Sequence, residues 1–344
     1  MKKRLLFHLS LILVPIILLV ITANYLIDPA NVFSGRTYVS GIADILLKGH
    51  NVDKVANYDE RALQDQMITK LPWRPDVVVL GSSRVMELGT DFFPGKKVLN
   101  CGVSHANIND VLAITGLLDS TGRLPQEVVI NLDPHLVCQG GTSEWESLAA
   151  YREHYLKEIH AKEPMHPGSL GLEKFYSLIS FEYFEKSLGF VLQHKTKRFL
   201  DVGQNRPAVY GRFSDGTICY PSSYAFPDTE KVAGDARIVG GREETTLDTT
   251  KVRQLNELLD FFAARKIAVV FVMLPYHPNY YRMMDQRYPN MFDQYTRIFR
   301  QIALERQIPI HGGFDANTLG IPLGQFYDSW HCSKAAIKKV YTQS

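Results

Sequence analysis

The sequence predicts an α/β fold in which helices cover both faces of a parallel sheet, a three-layer α/β/α arrangement. Short runs rich in β-branched residues have the pattern of strands buried on both faces. Stretches with apolar residues at helical spacing alternate with these runs, as in parallel sheets whose crossovers are helices. Polar clusters stand directly after several of the strands. Together these observations predict one large domain with a site at one edge of its sheet.

The predicted strands alternate with helices in two blocks of the chain. Strands are expected over 76–80, 97–100, 128–132, 267–274 and 308–310. Helices are expected over 59–70, 108–118, 251–265 and 291–305, with a further helix opening at Val85. The rhythm is interrupted between the third and fourth strands, so residues 139–247 are interpreted as an insertion.

The insertion differs in composition from the predicted core. It contains an aromatic-rich helical stretch over 175–192, a basic run over 194–198 and a section rich in Gly, Pro and Ser that continues to about residue 242. A basic run of this length is typical of a solvated face. The alternative is contact with anionic lipid heads or an anionic polymer.

The N-terminus predicts a membrane anchor. Met1-Lys2-Lys3-Arg4 precedes an apolar run over 5–27, and about 20 apolar residues in a helix span a bilayer. The basic cluster predicts that the N-terminus is cytoplasmic and the rest of the chain is exported. We therefore expect an anchor over 1–30, a connecting segment over 31–70 and a catalytic domain over 71–344. A cleaved signal peptide is the alternative, because Ile21-Thr22-Ala23 loosely resembles a processing site.

Composition narrows the function classes. Lys and Arg total 38 and Asp and Glu total 36, so the net charge of +2 gives no electrostatic case for nucleic-acid binding. There is no zinc-spaced Cys/His cluster, phosphate loop or dinucleotide fingerprint, so neither a metal nor an organic cofactor is expected. In an exported domain, the four cysteines are permitted disulfides. Their spacing leaves the pairing, or free thiols, open.

The chemistry-bearing residues follow the predicted strands. The carboxyl ends of parallel strands meet at one edge of a sheet, where sites form. The clusters are Gly81-Ser82-Ser83-Arg84, Asn100-Cys101-Gly102, Asn131-Leu132-Asp133 and, near the C-terminus, Tyr327-Asp328-Ser329-Trp330-His331. A serine hydroxyl needs an adjacent base, usually an imidazole, to become a nucleophile. That imidazole needs a carboxylate on its other nitrogen, and Asp328 lies three residues before His331.

The four clusters, in this order, resemble the sequence blocks of the SGNH (GDSL-like) hydrolase superfamily. More narrowly, they are similar to its membrane-anchored, cell-envelope polysaccharide O-acyltransferase/esterase branch. That branch includes alginate and peptidoglycan O-acetylation proteins and the lipoteichoic-acid D-alanylation protein. The resemblance covers residues 72–135 and 250–335. It implies that Ser83 is the nucleophile, with Ser82 as the alternative, that Asp328 and His331 complete a catalytic triad, and that Gly102 donates to the oxyanion.

The resemblance also implies a cellular setting. The substrate would be a cell-envelope glycan, and a multi-spanning membrane O-acyltransferase would be a partner that delivers the acyl group. The chain would be a single-pass protein of the bacterial cytoplasmic (inner) membrane, with its catalytic domain periplasmic or extracellular. O-acetyl transfer is the expected function. A carbohydrate esterase (deacetylase) with the same triad and a non-catalytic glycan-binding or docking partner are the alternatives.

One cluster departs from the family pattern. The asparagine expected at the end of the third strand is replaced by Asp133, and Asn131 lies two residues earlier. An ionised aspartate would oppose a developing oxyanion. Either Asn131 substitutes, or a partner neutralises Asp133. Arg84 is the predicted partner, because a cation in the first turn of a helix is disfavoured by the helix dipole and gains from a carboxylate.

Three further residues are candidates for a substrate pocket. Tyr276 and His277 follow the fourth strand, where they either line the pocket or form a rigid turn. Trp330 either stacks on a sugar ring or packs beneath His331.

Overall fold

The structure is a computed structural model that describes residues 2–29, 33–141, 144–160, 176–192, 198–221 and 245–342. Most of the basic run over 194–198 and the part of the Gly/Pro/Ser-rich section after residue 221 lie outside the described residues.

The described chain alternates strands and helices over most of its length. The strands are β1 Val52–Asp53, β2 Val77–Leu80, β3 Val98–Asn100, β4 Glu127–Asn131, β5 Leu200–Asp201, β6 Gly211–Arg212, β7 Ile218–Cys219, β8 Ala268–Met273 and β9 Ile310–Gly312. The main helices are α1 Lys2–Ile27, α2 Gly35–Leu46, α3 Glu60–Lys70, α4 Ile108–Ser120, α5 Pro134–Val137, α6 Ala149–Glu158, α7 Phe181–Leu192, α8 Thr249–Ala264, α9 Pro278–Arg287, α10 Met291–Arg306 and α11 Lys334–Thr342.

A five-stranded sheet organises the fold. Its order is β3-β2-β4-β8-β9, and every neighbouring pair is parallel. Four of them overlap closely with strands that the sequence predicts, and β9 begins at Ile310, the last residue of the fifth predicted strand. The order puts β2, β3 and β4 side by side, so the ends of these strands lie at one edge. The predicted α/β fold with a parallel sheet is confirmed.

The sheet is buried on both of its faces. Successive side chains of a strand point to opposite faces. Accordingly, Val78 and Leu80 belong to one hydrophobic core, while Val77 and Val79 belong to another. Helices α3, α4, α8 and α10 contribute to the first core, and α11 contributes to the second. All four of these strand side chains are fully buried, which explains why the sequence shows β-branched runs rather than alternation.

Three of the predicted helices begin where the sequence supplies a side chain that caps them. Asp59 accepts hydrogen bonds from the first backbone N–H groups of α3, and Asp248 does the same for α8. At α4, Asn107 and Asp110 form a reciprocal capping box. Such caps satisfy donors that have no partner within the helix.

A second sheet joins the connecting segment to the insertion. Its order is β5-β1-β6-β7, and all of its pairs are antiparallel. Strand β1 comes from the connecting segment, which also contains α2, whereas the other three strands come from the insertion. The two regions therefore fold together against the core. Each of these strands has two residues, too few for a strand periodicity to be visible in the sequence.

The N-terminal helix α1 has 26 residues. Within the part of the chain that the structure describes, no helix combines the length and apolarity that crossing a membrane requires. The anchor therefore stays a prediction of the sequence. No disulfide joins the four cysteines, all of which are described and buried.

Candidate active site

Ser83, His331 and Asp328 form a continuous hydrogen-bonded chain. Ser83 Oγ lies 2.7 Å from His331 Nε2, although the two residues are 248 positions apart in the sequence. On the other side of the ring, His331 Nδ1 lies 2.8 Å from Asp328 Oδ2. Ser83 follows β2, and the other two residues lie between β9 and α11. The fold thus brings together the three residues that the sequence predicts as a triad.

Asp328 is held as a charged acceptor. Its Oδ1 accepts hydrogen bonds from the backbone N–H groups of Trp330 and His331, both at 2.8 Å. Burial alone would raise the pKa of Asp328, but the hydrogen bond and charge of His331, with these two N–H groups, outweigh it and lower the pKa. An ionised Asp328 accepts a hydrogen bond from His331 Nδ1–H. It thereby leaves the lone pair of His331 Nε2 directed at the Ser83 hydroxyl.

The turn that carries Ser83 depends on a glycine. Gly81 has φ +146°, and a side chain there would place its Cβ 2.4 Å from Asn131 Cβ. Only glycine adopts this conformation and leaves that space. Ser82 caps the next turn, and its hydroxyl donates to Asn131 Oδ1 at 3.0 Å. Because the Ser82 hydroxyl is engaged there, the Ser83 hydroxyl is the one that faces His331.

The helix predicted at Val85 does not form. A 3₁₀ turn over Ser83–Val85 takes its place. The side-chain amide of Asn100 donates to the carbonyls of Val85 and Leu88, at 2.7 and 2.9 Å. The carbonyl of Leu88 is therefore occupied by a side chain from the end of β3, and that of Val85 is shared between this side chain and the backbone N–H of Leu88. Asn100 thus fixes the segment after the candidate nucleophile, a role that the sequence did not indicate.

Two of the predicted oxyanion donors are already engaged. Gly102 N–H donates to Asn100 Oδ1 at 2.9 Å, and Asn131 Nδ2 donates to the carbonyl of Val272 at 3.3 Å. Among the described residues, no acceptor engages the backbone N–H of Ser83. Ser83 N–H is thus a donor that this arrangement leaves for an oxyanion. Gly102 has a packing role, since a side chain there would come within 3.3 Å of the carbonyl of Ser82.

The predicted ion pair between Arg84 and Asp133 is present. Arg84 Nη1 lies 3.1 Å from Asp133 Oδ2, and both side chains are 3% exposed. Arg84 also donates to the carbonyls of Trp330, at 3.1 Å, and Leu274. Its guanidinium lies 3.7 Å from the centre of the Tyr276 ring. Arg84 therefore connects the turn of the candidate nucleophile to the residue that precedes His331.

The carboxylate of Asp133 has partners that keep it ionised and that offset its negative charge near the site of the oxyanion. Besides Arg84, its carboxylate accepts from His135 N–H at 3.1 Å and from the Tyr276 hydroxyl at 3.3 Å. Burial opposes its ionisation, but the charge of Arg84 and these neighbours outweigh burial and lower the pKa of Asp133. The helix-dipole argument for the pair was wrong, because the turn has three residues and carries little dipole.

Two of the residues predicted to line a pocket are buried instead. Tyr276 and His277 are each 3% exposed. His277 caps α9, where its Nδ1 accepts the N–H of Asn279 at 3.2 Å, so the rigid-turn alternative holds for this segment. Trp330 is half-buried, and its ring packs edge-on against Tyr280. These side chains support the floor of the site.

The wall of the site beside His331 comes from residues that the sequence analysis missed. Tyr220, from the insertion, lies 6.3 Å from the His331 ring and 5.1 Å from the Tyr327 ring. The Tyr327 hydroxyl donates to Glu87 Oε1 at 3.2 Å. No spacing in the sequence connects Tyr220 to the triad. The one feature of the sequence that could have indicated this wall is Glu87, a carboxylate four residues after Ser83.

Glu87 is expected to make stability depend on pH near neutrality. Burial raises the pKa of Glu87 from its usual 4.5 to about 7, against the lowering effects of Tyr327, Lys334, Arg206 and His331. A raised carboxyl pKa favours the folded state below pH 4.5, and that contribution is lost as pH rises to about 7. Glu87→Gln should abolish this loss. At pH 8 the variant should therefore gain at most about 3 kcal/mol in free energy of unfolding relative to the unchanged chain.

The measurement for Glu87 is urea denaturation of the full chain at several pH values. The matched control is Glu305→Gln, which changes an exposed glutamate on α10 and should leave the pH dependence of the unchanged chain. The prediction would be contradicted if the free energies of unfolding of the Glu87→Gln and unchanged chains differed by a constant amount from pH 5 to pH 8.

One group of residues within the described chain has metal-ligand chemistry, away from the triad. Asp119, His154 and Glu158 lie close enough together to hold an ion. His154 Nε2 is 3.0 Å from Asp119, and Arg265 lies 3.2 Å from Glu158 and 3.8 Å from Asp119. The arginine already supplies a positive charge to both carboxylates, so we assign no metal to this group.

Comparison with known proteins adds no family assignment, since neither a family model nor a curated protein matches the chain. The functional argument therefore depends on the geometry of the site and on the order of the four polar clusters.

Proposed function

We propose that this protein carries out serine-dependent acyl-ester chemistry, most specifically O-acyl transfer to a cell-envelope glycan. The observation that carries the proposal is the hydrogen-bonded chain from Ser83 through His331 to Asp328. The fold proposed with it is a three-layer α/β/α domain of the SGNH type. We further propose that α1 anchors this domain on the extracytoplasmic side of a bacterial membrane, beside a multi-spanning acyltransferase.

The first half of the reaction forms an acyl-enzyme. Ser83 Oγ attacks the carbonyl carbon of the acyl donor while its proton passes to His331 Nε2. Asp328 stabilises the imidazolium that forms, and Ser83 N–H donates to the oxyanion. The tetrahedral intermediate collapses when the bond to the leaving oxygen breaks. His331 then gives that oxygen its proton, which leaves the acyl group on Ser83.

The second half transfers the acyl group. A sugar hydroxyl takes the place of the leaving group and loses its proton to His331 as it attacks the acyl-enzyme. Ser83 leaves and regains its proton from His331, so the triad is restored. Water in place of the sugar gives hydrolysis by the same steps, which is the esterase alternative.

A row of tyrosines supports a sugar as the acceptor. Tyr210 lies 6.0 Å from Tyr220, which in turn lies beside Tyr327 and His331. All three tyrosines are partly exposed. A tyrosine offers an apolar ring face and a polar tip, which matches the mixed surface of a sugar ring.

The test of this proposal measures where the acyl group goes. The full chain in detergent is given an activated acetyl ester, with and without an acetyl-free envelope glycan. We expect acetylated glycan, with faster release of the leaving alcohol as glycan is added, because a bound acceptor competes with water for the acyl-enzyme. Release that glycan leaves unchanged, with all acetate free, would overturn transfer in favour of hydrolysis.

A non-catalytic glycan-binding or docking role is the second candidate. The engagement of Gly102 N–H by Asn100 and of Asn131 Nδ2 by the carbonyl of Val272 favours it, because both groups are oxyanion donors that the sequence predicts. Under this alternative the chain binds glycan but releases no alcohol from the ester.

A further inference from the structure

The exposed apolar surface of this chain is concentrated on two helices. Among the described residues, fifteen of the nineteen exposed large apolar side chains lie in α1 or in residues 176–192 of the insertion. The other four are single residues elsewhere: Leu200, Val209, Leu304 and Leu323. Scattered exposed apolar residues are ordinary, but a contiguous group marks a surface that something covers.

The exposed side chains of α7 form one face. Phe181, Leu188, Val191 and Leu192 are 48–68% exposed. At 100° per residue these four positions fall within an arc of about 100°. Tyr183 and Ser187, outside that arc, are buried. The helix therefore buries one side and presents an apolar face on another.

Residues 177–180, which lead into α7, and the buried side of α7 are attached to the C-terminal end of α1 by polar contacts. The side-chain amide of Asn24 donates to the carbonyls of Ser177, Leu178 and Ser180 at 2.9–3.1 Å. The Tyr183 hydroxyl donates to Asp28 Oδ1 at 2.7 Å. Asn24 and Asp28 are at most 1% exposed. Buried polar groups with partners fix an arrangement, because separating them would leave each group unsatisfied.

The apolar face of α7 is consequently continuous with that of α1. Tyr25 and Leu26, next to the polar contacts, are 59% and 72% exposed, and the exposed side chains of α1 extend back to Leu11. Exposed aromatic residues adjoin the residues that these polar contacts join: Tyr25 follows Asn24, Tyr176 precedes Ser177 and Phe181 follows Ser180. Tyrosine and other aromatic residues are enriched at the depth of the lipid head groups.

We propose that α7 lies in the outer interface of the bilayer, with Phe181, Leu188, Val191 and Leu192 among the upper acyl chains. This inference rests on the membrane anchoring proposed above for α1. The occupant is lipid, because the apolar face of α7 continues the exposed apolar surface of α1, and the sequence over 5–27 predicts a membrane span. The insertion thereby holds the domain at the membrane surface, and α1 is not its sole contact with lipid.

The experiment places one environment-sensitive fluorophore on the full chain. Single cysteines replace Leu188 or Leu192 on α7, Leu18 on α1 and Leu304 on α10, a control that is 80% exposed. The native thiols are at most 3% exposed, and the unchanged chain measures their background labelling. The chain is reconstituted into phosphatidylethanolamine and phosphatidylglycerol vesicles, with or without bromine on the acyl chains.

We expect blue-shifted emission that brominated lipid quenches at Leu188, Leu192 and Leu18, and neither effect at Leu304. Quenching at Leu18 without quenching on α7 would overturn the inference while the anchor stands. A blue shift on α7 that brominated lipid does not quench would also overturn it, and would assign the face to a protein partner. Absence of quenching at Leu18 and on α7 would overturn both the interfacial position of α7 and the anchoring by α1. The acyl-transfer assay is independent of all these outcomes.

Discussion

Replacing Ser83 by alanine is expected to lower the turnover of an activated acetyl ester by at least about 10³-fold. The substitution removes the one hydroxyl that contacts His331 Nε2, so no covalent intermediate can form. Folding should be little changed, because Ser83 is half-buried at the start of a short turn. The measurement is the initial rate of alcohol release by the full chain, with thermal unfolding of each variant recorded alongside.

Ser82→Ala is the matched control for this loss. Ser82 is the adjacent serine, and its hydroxyl donates to Asn131. We expect Ser82→Ala to keep most of the turnover and to lose some stability. The reverse pattern, with activity lost at Ser82 and kept at Ser83, would assign the nucleophile to Ser82 and contradict the proposed triad.

Replacing Arg84 by alanine is expected to destabilise the protein by about 3–5 kcal/mol. The change leaves the carboxylate of Asp133 buried without its cation, and it removes the donors to the carbonyls of Trp330 and Leu274. Turnover should also fall, because Arg84 holds the residue that precedes His331. The measurement is urea denaturation together with the ester assay.

Two further variants make the Arg84 result specific. Arg253→Ala removes an exposed arginine whose partner, Glu257, lies on the same helix, and it should cost no more than about 0.5 kcal/mol. Asp133→Asn keeps a side-chain acceptor for Arg84, so we expect a smaller loss of stability than for Arg84→Ala and largely intact activity. Unchanged stability and activity in both Arg84→Ala and Asp133→Ala would exclude a role for the pair.

The parallel sheet could be predicted because its strands are buried on both faces. Such strands appear in the sequence as uninterrupted apolar runs, of which the run over 77–80 is the clearest. Site residues at the ends of β2, β3 and β4 could be predicted for the same reason, since strand ends meet at one edge. The antiparallel sheet escaped prediction because two-residue strands gain their pairing from tertiary contacts alone.

The interior of the site was predictable only in part. The pair of Arg84 with Asp133 was expected on charge, although the argument from the helix dipole did not apply. The hydrogen bonds that the Asn100 side chain donates to the carbonyls of Val85 and Leu88 were not expected, because such a side chain leaves no periodic signal in the sequence. Tyr220, which reaches His331 from the insertion, lies more than one hundred residues from either end of the triad, and sequence spacing carries no information about such a contact.

Trapping the acyl group on the protein would decide whether Ser83 acts as proposed. The full chain is mixed with an activated acetyl ester, quenched in acid at short times, digested and analysed by mass spectrometry. We expect one acetyl group on the peptide that contains Ser83, formed before steady state and absent from Ser83→Ala. Ester turnover with no acetylated Ser83 at any time, or acetylation that persists in Ser83→Ala, would contradict the proposed mechanism.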